Sequence, residues 1–249
     1  METILQVKQI EKIYGNKGSI TRAIEDISFQ VAKGEFVGIM GPSGSGKTTL
    51  LNCISTIDNV TSGHILIGKE DITKMKSGQL SKFRREQLGF IFQDYNLLDN
   101  MTLMDNIALP LSLSNEKAKN IQQRVQEMAG LFHLEGHLKK YPHQLSGGQK
   151  QRGAAARALI RNPRIVFADE PTGALDSKSS RELLCSLKEI NEERNATILM
   201  VTHDAFSASY ARKVFILKDG EIFTTLHADA ERSVFYERIL QLLASMGGD

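Results

Sequence analysis

Glu35-Phe36-Val37-Gly38-Ile39-Met40-Gly41-Pro42-Ser43-Gly44-Ser45-Gly46-Lys47-Thr48-Thr49-Leu50-Leu51-Asn52-Cys53-Ile54 decides how the rest of the chain is read. Its centre, Gly41–Thr49, matches the pattern G-x-x-x-x-G-K-[ST] in full. The apolar run before it reads as a short buried strand and the run after it as a helix, the context in which that pattern works. Glycines at 41, 44 and 46 let consecutive backbone N–H groups point inward at phosphate oxygens. The helix start adds a favourable dipole. Lys47 is then placed to reach the β- and γ-phosphates of a nucleotide, and the Thr48 hydroxyl to meet Mg²⁺.

A second anion-binding turn lies further along. Leu145-Ser146-Gly147-Gly148-Gln149 precedes the helical run from Lys150 to Ile160. Ser146 is suited to cap that helix, and the two glycines allow close approach of a phosphate to the backbone. By itself such a turn is more often only a cap. The next segment, Arg164-Ile165-Val166-Phe167-Ala168, is a buried-strand run that ends in Asp169-Glu170-Pro171. A carboxylate at the end of an apolar strand is costly unless a cation meets it.

These residues, taken in order, resemble the ATP-binding-cassette (ABC) ATPases. The resemblance spans nearly the whole chain: Gly41–Thr49 (Walker A), Gln93 (Q-loop), Leu145–Gln149 (signature), Arg164–Glu170 (Walker B), Ala174-Leu175-Asp176 (D-loop) and His203 (H-loop). It implies an α/β fold of the P-loop NTPase type, with a mainly parallel core sheet, an antiparallel β-region and a helical subdomain. It also implies one domain over residues 1–249, with a RecA-like core at about 1–79 and 161–249 and the helical subdomain at about 80–160.

The roles the resemblance implies make chemical sense. Asp169 would hold Mg²⁺, directly or through water, together with Thr48 and Gln93, and Glu170 would be the general base on the attacking water. Gln93 follows a third apolar strand-like run, Leu88–Phe92, and would be the sensor that reaches Mg²⁺ and the water. His203 follows the strand-like run Ala196–Thr202 and would contact the γ-phosphate, at the carboxyl edge where open α/β sheets bind ligands. Tyr14 would stack on adenine, although a strand-end core aromatic reads the same way. Ser146, Gly147, Gly148 and Gln149 would close over ATP held by Lys47 of a second copy, and Asp176 would line that interface. Such a contact is two-fold and self-complementary, and ATP acts in it as an adhesive.

Composition fits this picture. The 249 residues suffice for one sizeable domain, and 41% hydrophobic with 24% charged residues is ordinary for a globular chain. A formal net charge of +2 argues against nucleic acid as a partner. No apolar run approaches the roughly 18 residues of a membrane span. Residues 1–8 show no secretory signal. Cys53 and Cys185 are expected to be reduced core thiols. Residues 4–9 and 26–31 and Gly63–Lys69 suggest antiparallel strands. Ala118, Ile121, Val125, Met128 and Phe132 mark an amphipathic helix. Val214–Leu217 and Glu221–Leu226 form a hairpin joined through an Asp-Gly step, and Ser233 caps a final helix. Gly153 departs from the helix formers expected inside its run, which marks tight packing.

A single cassette without a long coiled-coil insertion favours a transporter subunit at the cytoplasmic face of a bacterial membrane, beside a separate integral permease. Asp94-Tyr95-Asn96-Leu97-Leu98 would either meet that permease or belong to the subdomain core. Ser55–Asp58, Phe92–Leu98 and Asn106–Leu113 look most like bacitracin-type antimicrobial-peptide resistance ATPases, within a subgroup that includes macrolide exporters and lipoprotein-release ATPases. In that type a permease frees cell-wall lipid precursors from peptide antibiotics, often with a sensor histidine kinase. The alternative is a mechanotransmission ATPase acting on cell-wall enzymes, or the ATPase of a lipoprotein-release or macrolide-export system.

Overall fold

The computed structural model describes residues 2–16, 19–114, 116–228 and 231–246. In chain order the elements are β1 (Thr3–Asn16), β2 (Ser19–Ala32), β3 (Phe36–Met40), α1 (Lys47–Ile54), β4 (Ser62–Ile67), β5 (Glu70–Asp71), α2 (Ser77–Gln87), β6 (Leu88–Ile91) and α3 (Leu103–Ser112). They continue with α4 (Ala118–Leu131), α5 (Gly147–Leu159), β7 (Ile165–Asp169), α6 (Ser177–Arg194), β8 (Ile198–Val201), α7 (Ala205–Ala208), β9 (Lys213–Lys218), β10 (Glu221–His227) and α8 (Arg232–Met246).

Among the described residues the strands build two sheets, β2-β1-β4-β5 and β10-β9-β3-β8-β7-β6. The first is antiparallel. The second is parallel from β9 to β6, with β10 antiparallel at its edge. Its strands are apolar on both faces, as a sheet covered on both sides requires. Phe36, Met40, Val166, Ala168, Ile198 and Met200 join the core under the helices α3 to α8. The alternate residues Val37, Ile39, Ile165, Phe167, Leu199 and Val201 join the core shared with α1 and the antiparallel sheet. The period of two thus splits each strand between two cores.

Several expectations change in detail. β1 and β2 run well beyond 4–9 and 26–31, because main-chain pairing continues through polar residues. Left-handed Gln9 (φ 46°) and Asp26 (φ 43°) interrupt the alternation, where the register shifts. β6 is the strand expected before Gln93; it falls inside the stretch 80–160 assigned to the helical subdomain, yet pairs in parallel with β7 and belongs to the sheet. The helical part is therefore built from α3, α4 and α5. Ser233 lies inside the first turn of α8 rather than capping it. The Arg232 guanidinium packs over the rings of Tyr210 and Phe206 at 4.6 and 5.2 Å and anchors that end. Cys53 is buried and its thiol is pushed up to about 11 by desolvation, but Cys185 is exposed. The β9–β10 turn has Asp219 and Gly220 both left-handed (φ 51° and 84°), as a two-residue I′ hairpin demands.

Gly153 is held to glycine by its neighbour. A Cβ there would lie well inside van der Waals contact of Leu103 Cδ1, and Leu103 is itself fully buried and cannot swing into solvent. Alanine would add about 1 kcal/mol of helix propensity. Overpacking costs about 1–3 kcal/mol, and it wins here because α3 and α5 meet at this point. Gly153→Ala is expected to lower the midpoint of chemical unfolding, and an unchanged or raised midpoint would show that Leu103 can yield.

Candidate functional site

Gly41–Thr49 leaves the carboxyl end of β3 and enters α1, whose N-cap Gly46 is left-handed (φ 96°). A side chain at Gly46 would collide with the Ala23 carbonyl, so the loop backbone is pressed against β2. Lys47 curls over its own loop, donating to the carbonyls of Gly41 and Pro42, both at 2.8 Å. Burial pulls its ammonium below the usual value, against the opposing field of Glu170 and Asp169. The loop borders a cleft of about 740 Å³ that also receives Arg22, Glu170, His203 and Lys218.

Asp169 closes β7 and Glu170 follows in a left-handed conformation (φ 45°). For a residue with a side chain that backbone is sparsely populated and costs of the order of 1–3 kcal/mol, a strain that clusters at functional sites. Its amide donates to the Val201 carbonyl at 2.9 Å and its carbonyl accepts from Gly173 at 3.0 Å. The carboxylate accepts from His203 Nδ1 at 2.8 Å. A carboxylate only accepts, so Nδ1 carries the proton and Nε2 is left facing outward on a ring that is 71% exposed. The arrangement can hold a base in place and offer a second nitrogen to a phosphate. Burial and then the neighbouring Glu170 push the Asp169 carboxyl up, with Lys47 opposing.

The donor set suits Mg²⁺. Thr48, Asp169 and Gln93 offer hard oxygen ligands, and the paired charge of Asp169 and Glu170 is under-neutralised by Lys47 alone. No group of three or more His, Cys, Asp or Glu among the described residues could hold a metal. A Mg²⁺ site of one carboxylate completed by phosphate oxygens and water needs no such group.

The structure brings Lys47, Thr48, Glu170 and His203 together at the carboxyl edge of the sheet. Gln93 is not among the cleft residues; its amide carbon would lie 3.1 Å from a Cβ at Gly173, so it packs against the loop after Glu170. Tyr14 is 41% exposed beside the loop. Its hydroxyl donates to Asp58 Oδ2 at 2.8 Å, and Lys12 Nζ sits 4.7 Å from its ring centroid. Tyr14 is therefore not a core aromatic.

Ser146, Gly147, Gly148 and Gln149 do not border that cleft. They form a reciprocal cap: the Ser146 hydroxyl accepts from the Gln149 amide at 3.3 Å, and Gln149 Oε1 accepts from the Ser146 amide at 3.1 Å. Gly147 lies under the Tyr95 hydroxyl, and a Cβ at Gly148 would meet Ser179 Oγ at 2.5 Å. Asp176 caps α6, accepting from the amides of Lys178 and Ser179 at 3.0 Å and from Ser179 Oγ at 2.6 Å. Its exposed carboxylate is held below its ordinary range by these bonds. Nothing in the sequence points to Arg22 and Lys218 at this cleft, because no local spacing tells that one strand and one hairpin will deliver cations to a remote loop.

A family model described as ABC transporter matches residues 24–173. The chain is 48% identical over 249 residues to the bacitracin export ATP-binding protein BceA of Halalkalibacterium halodurans, covering 98% of this chain and 97% of that one. It is 48% identical over 250 residues to the ABC transporter ATP-binding protein YxdL of Bacillus subtilis, covering 100% and 96%. Among solved structures it resembles a dimeric, post-hydrolysis state of the ATP-binding cassette MJ0796 of Methanocaldococcus jannaschii bound to ADP and Pi. That match has 38% identity and a TM-score of 0.83, over 91% of this chain and 100% of that one.

Proposed function

The chain belongs to the ABC transporter ATP-binding family, and from that premise we propose that it powers a permease conferring resistance to bacitracin-type peptide antibiotics. It is an ATP-binding, ATP-hydrolysing subunit of a transporter, with a cassette fold of the kind that dimerises. The finer reading is carried by one observation: near end-to-end similarity, in both directions, to a bacitracin export ATPase.

In this reading Gly41–Thr49 and Tyr14 hold ATP, and Thr48, Asp169 and Gln93 would hold Mg²⁺, which would supply charge neutralisation to the transferring phosphoryl group. Glu170 takes the proton of the attacking water, and His203 keeps it aimed. Ser146–Gln149 of a second copy close the site from outside, which explains why they stand apart from the cleft of their own chain. Asp176 borders that contact. The assembly sits on the cytoplasmic face of the membrane. No helix among the described residues is long and apolar enough to cross a membrane. A sensor histidine kinase joins through the permease.

The test is loss of the chain in its native host. Sensitivity to bacitracin-type peptides is expected to rise and to be restored by the wild-type chain but not by Glu170→Gln. Unchanged peptide sensitivity with altered cell-wall hydrolysis would replace this reading with the mechanotransmission one.

A further inference from the structure

Gln151 stands one turn into α5, the helix that the Ser146–Gln149 turn begins, and is 0% exposed. Its Nε2 donates to two main-chain carbonyls, Phe92 at 3.0 Å and Pro171 at 2.7 Å. Phe92 immediately precedes Gln93, and Pro171 immediately follows Glu170. The amide orientation is dictated by its partners, since turning it over would set Oε1 against two acceptors. Oε1 is left buried without a hydrogen-bond partner. An amide retained at the cost of a buried, unpaired acceptor points to a need for those two donated bonds.

The same helix grips the far end of the segment after Gln93. Arg157 donates to the carbonyls of Tyr95 at 3.1 Å and Asn96 at 2.6 Å, two residues both in left-handed backbone (φ 62° and 49°). Residues 92–96 are thus pinned to α5 at both ends, and the loop that follows Glu170 is pinned to it once. Helix α5 begins at the Ser146–Gln149 turn, the proposed lid for another copy's ATP, where Ser146 is exposed.

We propose that Gln151 is a positioning residue that couples the two nucleotide sites of the dimer. When the Ser146–Gln149 turn engages the partner's nucleotide, any shift of α5 is passed through one amide to the main chain beside Gln93 and beside Glu170. Each chain's base and sensor are aligned by the occupancy of the site that the same chain lids. This rests on the two-copy reading above.

The test uses the full chain with Gln151→Met, which keeps the volume and removes both bonds. Nucleotide affinity, kcat and the Hill coefficient for ATP are measured beside wild type and Gly153→Ala, which strains the same helix without touching either carbonyl. Gln151→Met is expected to keep its affinity, since Gly41–Thr49 is untouched, and to lose about tenfold or more in kcat, in line with small misplacements of catalytic groups. Its Hill coefficient is expected to fall toward one while that of Gly153→Ala stays at the wild-type value. Wild-type kcat and cooperativity in Gln151→Met would overturn the proposal, as would losses matching those of Gly153→Ala. A wild-type chain that shows neither cooperativity nor ATP-driven dimers would overturn the two-copy reading itself, and this coupling with it.

Discussion

Glu170→Gln is expected to bind ATP as wild type does and to hydrolyse it about 10²–10⁴-fold more slowly, the range that a positioned base contributes. Glutamine fills the same volume and its Oε1 can still accept the His203 Nδ1 proton, a bond of 2.8 Å in the wild type. It inherits the left-handed backbone at φ 45° without new strain, because one non-glycine replaces another. What it cannot do is accept a proton from water. In the proposed site the bonds that hold ATP come from Gly41–Thr49, which the change does not touch. Unhydrolysed ATP should therefore persist, and with it the closed dimer, visible as a doubled mass in light scattering with ATP and a monomer with ADP. Normal turnover would move the base elsewhere. His203→Ala separates the two roles: it frees the carboxylate but leaves it basic, so turnover should fall less than for Glu170→Gln.

How much of this was legible in the sequence depended on where the working atoms sit. The strand–loop–helix around Gly41–Thr49 was legible because its shape rests on backbone conformations whose order is fixed by Gly44, Gly46 and Lys47. Glu170 and His203 could be placed at one sheet edge because each follows an apolar strand, and in the structure they share a hydrogen bond. Gly153 was legible as an anomaly, a poor helix former inside a helix, and Leu103 supplies the reason. Gln151 and Arg157 were not legible. Their partners are main-chain carbonyls of residues 92, 95, 96 and 171, which carry no side-chain signature. β6 was legible as an apolar strand before Gln93, but its pairing was not, because its partner β7 lies beyond three further helices in the chain. A side chain at Gly148 collides with Ser179, so changes there report packing as well as function.

That constraint shapes the sharpest test of the two-copy site. Ser146→Asp keeps a capping oxygen for α5, since aspartate caps as well as serine, and places a negative charge where the partner's triphosphate should arrive. Lys47→Ala removes the ammonium from the loop of its own chain. Each variant alone is expected to be inactive: in one both lids repel ATP, in the other both cradles fail to hold it. Mixed in equal amounts and allowed to exchange, half of the dimers combine the two chains. In each of these, one site pairs the intact loop of the Ser146→Asp chain with the intact lid of the Lys47→Ala chain. With head-to-tail sites the mixture should recover turnover up to a ceiling of about a quarter of wild type, from half the dimers each with one good site of two, lowered by whatever the coupling through Gln151 withholds while the second site stays empty. If each chain hydrolyses ATP within its own fold, mixing repairs nothing, and the activity stays at the average of the two inactive proteins.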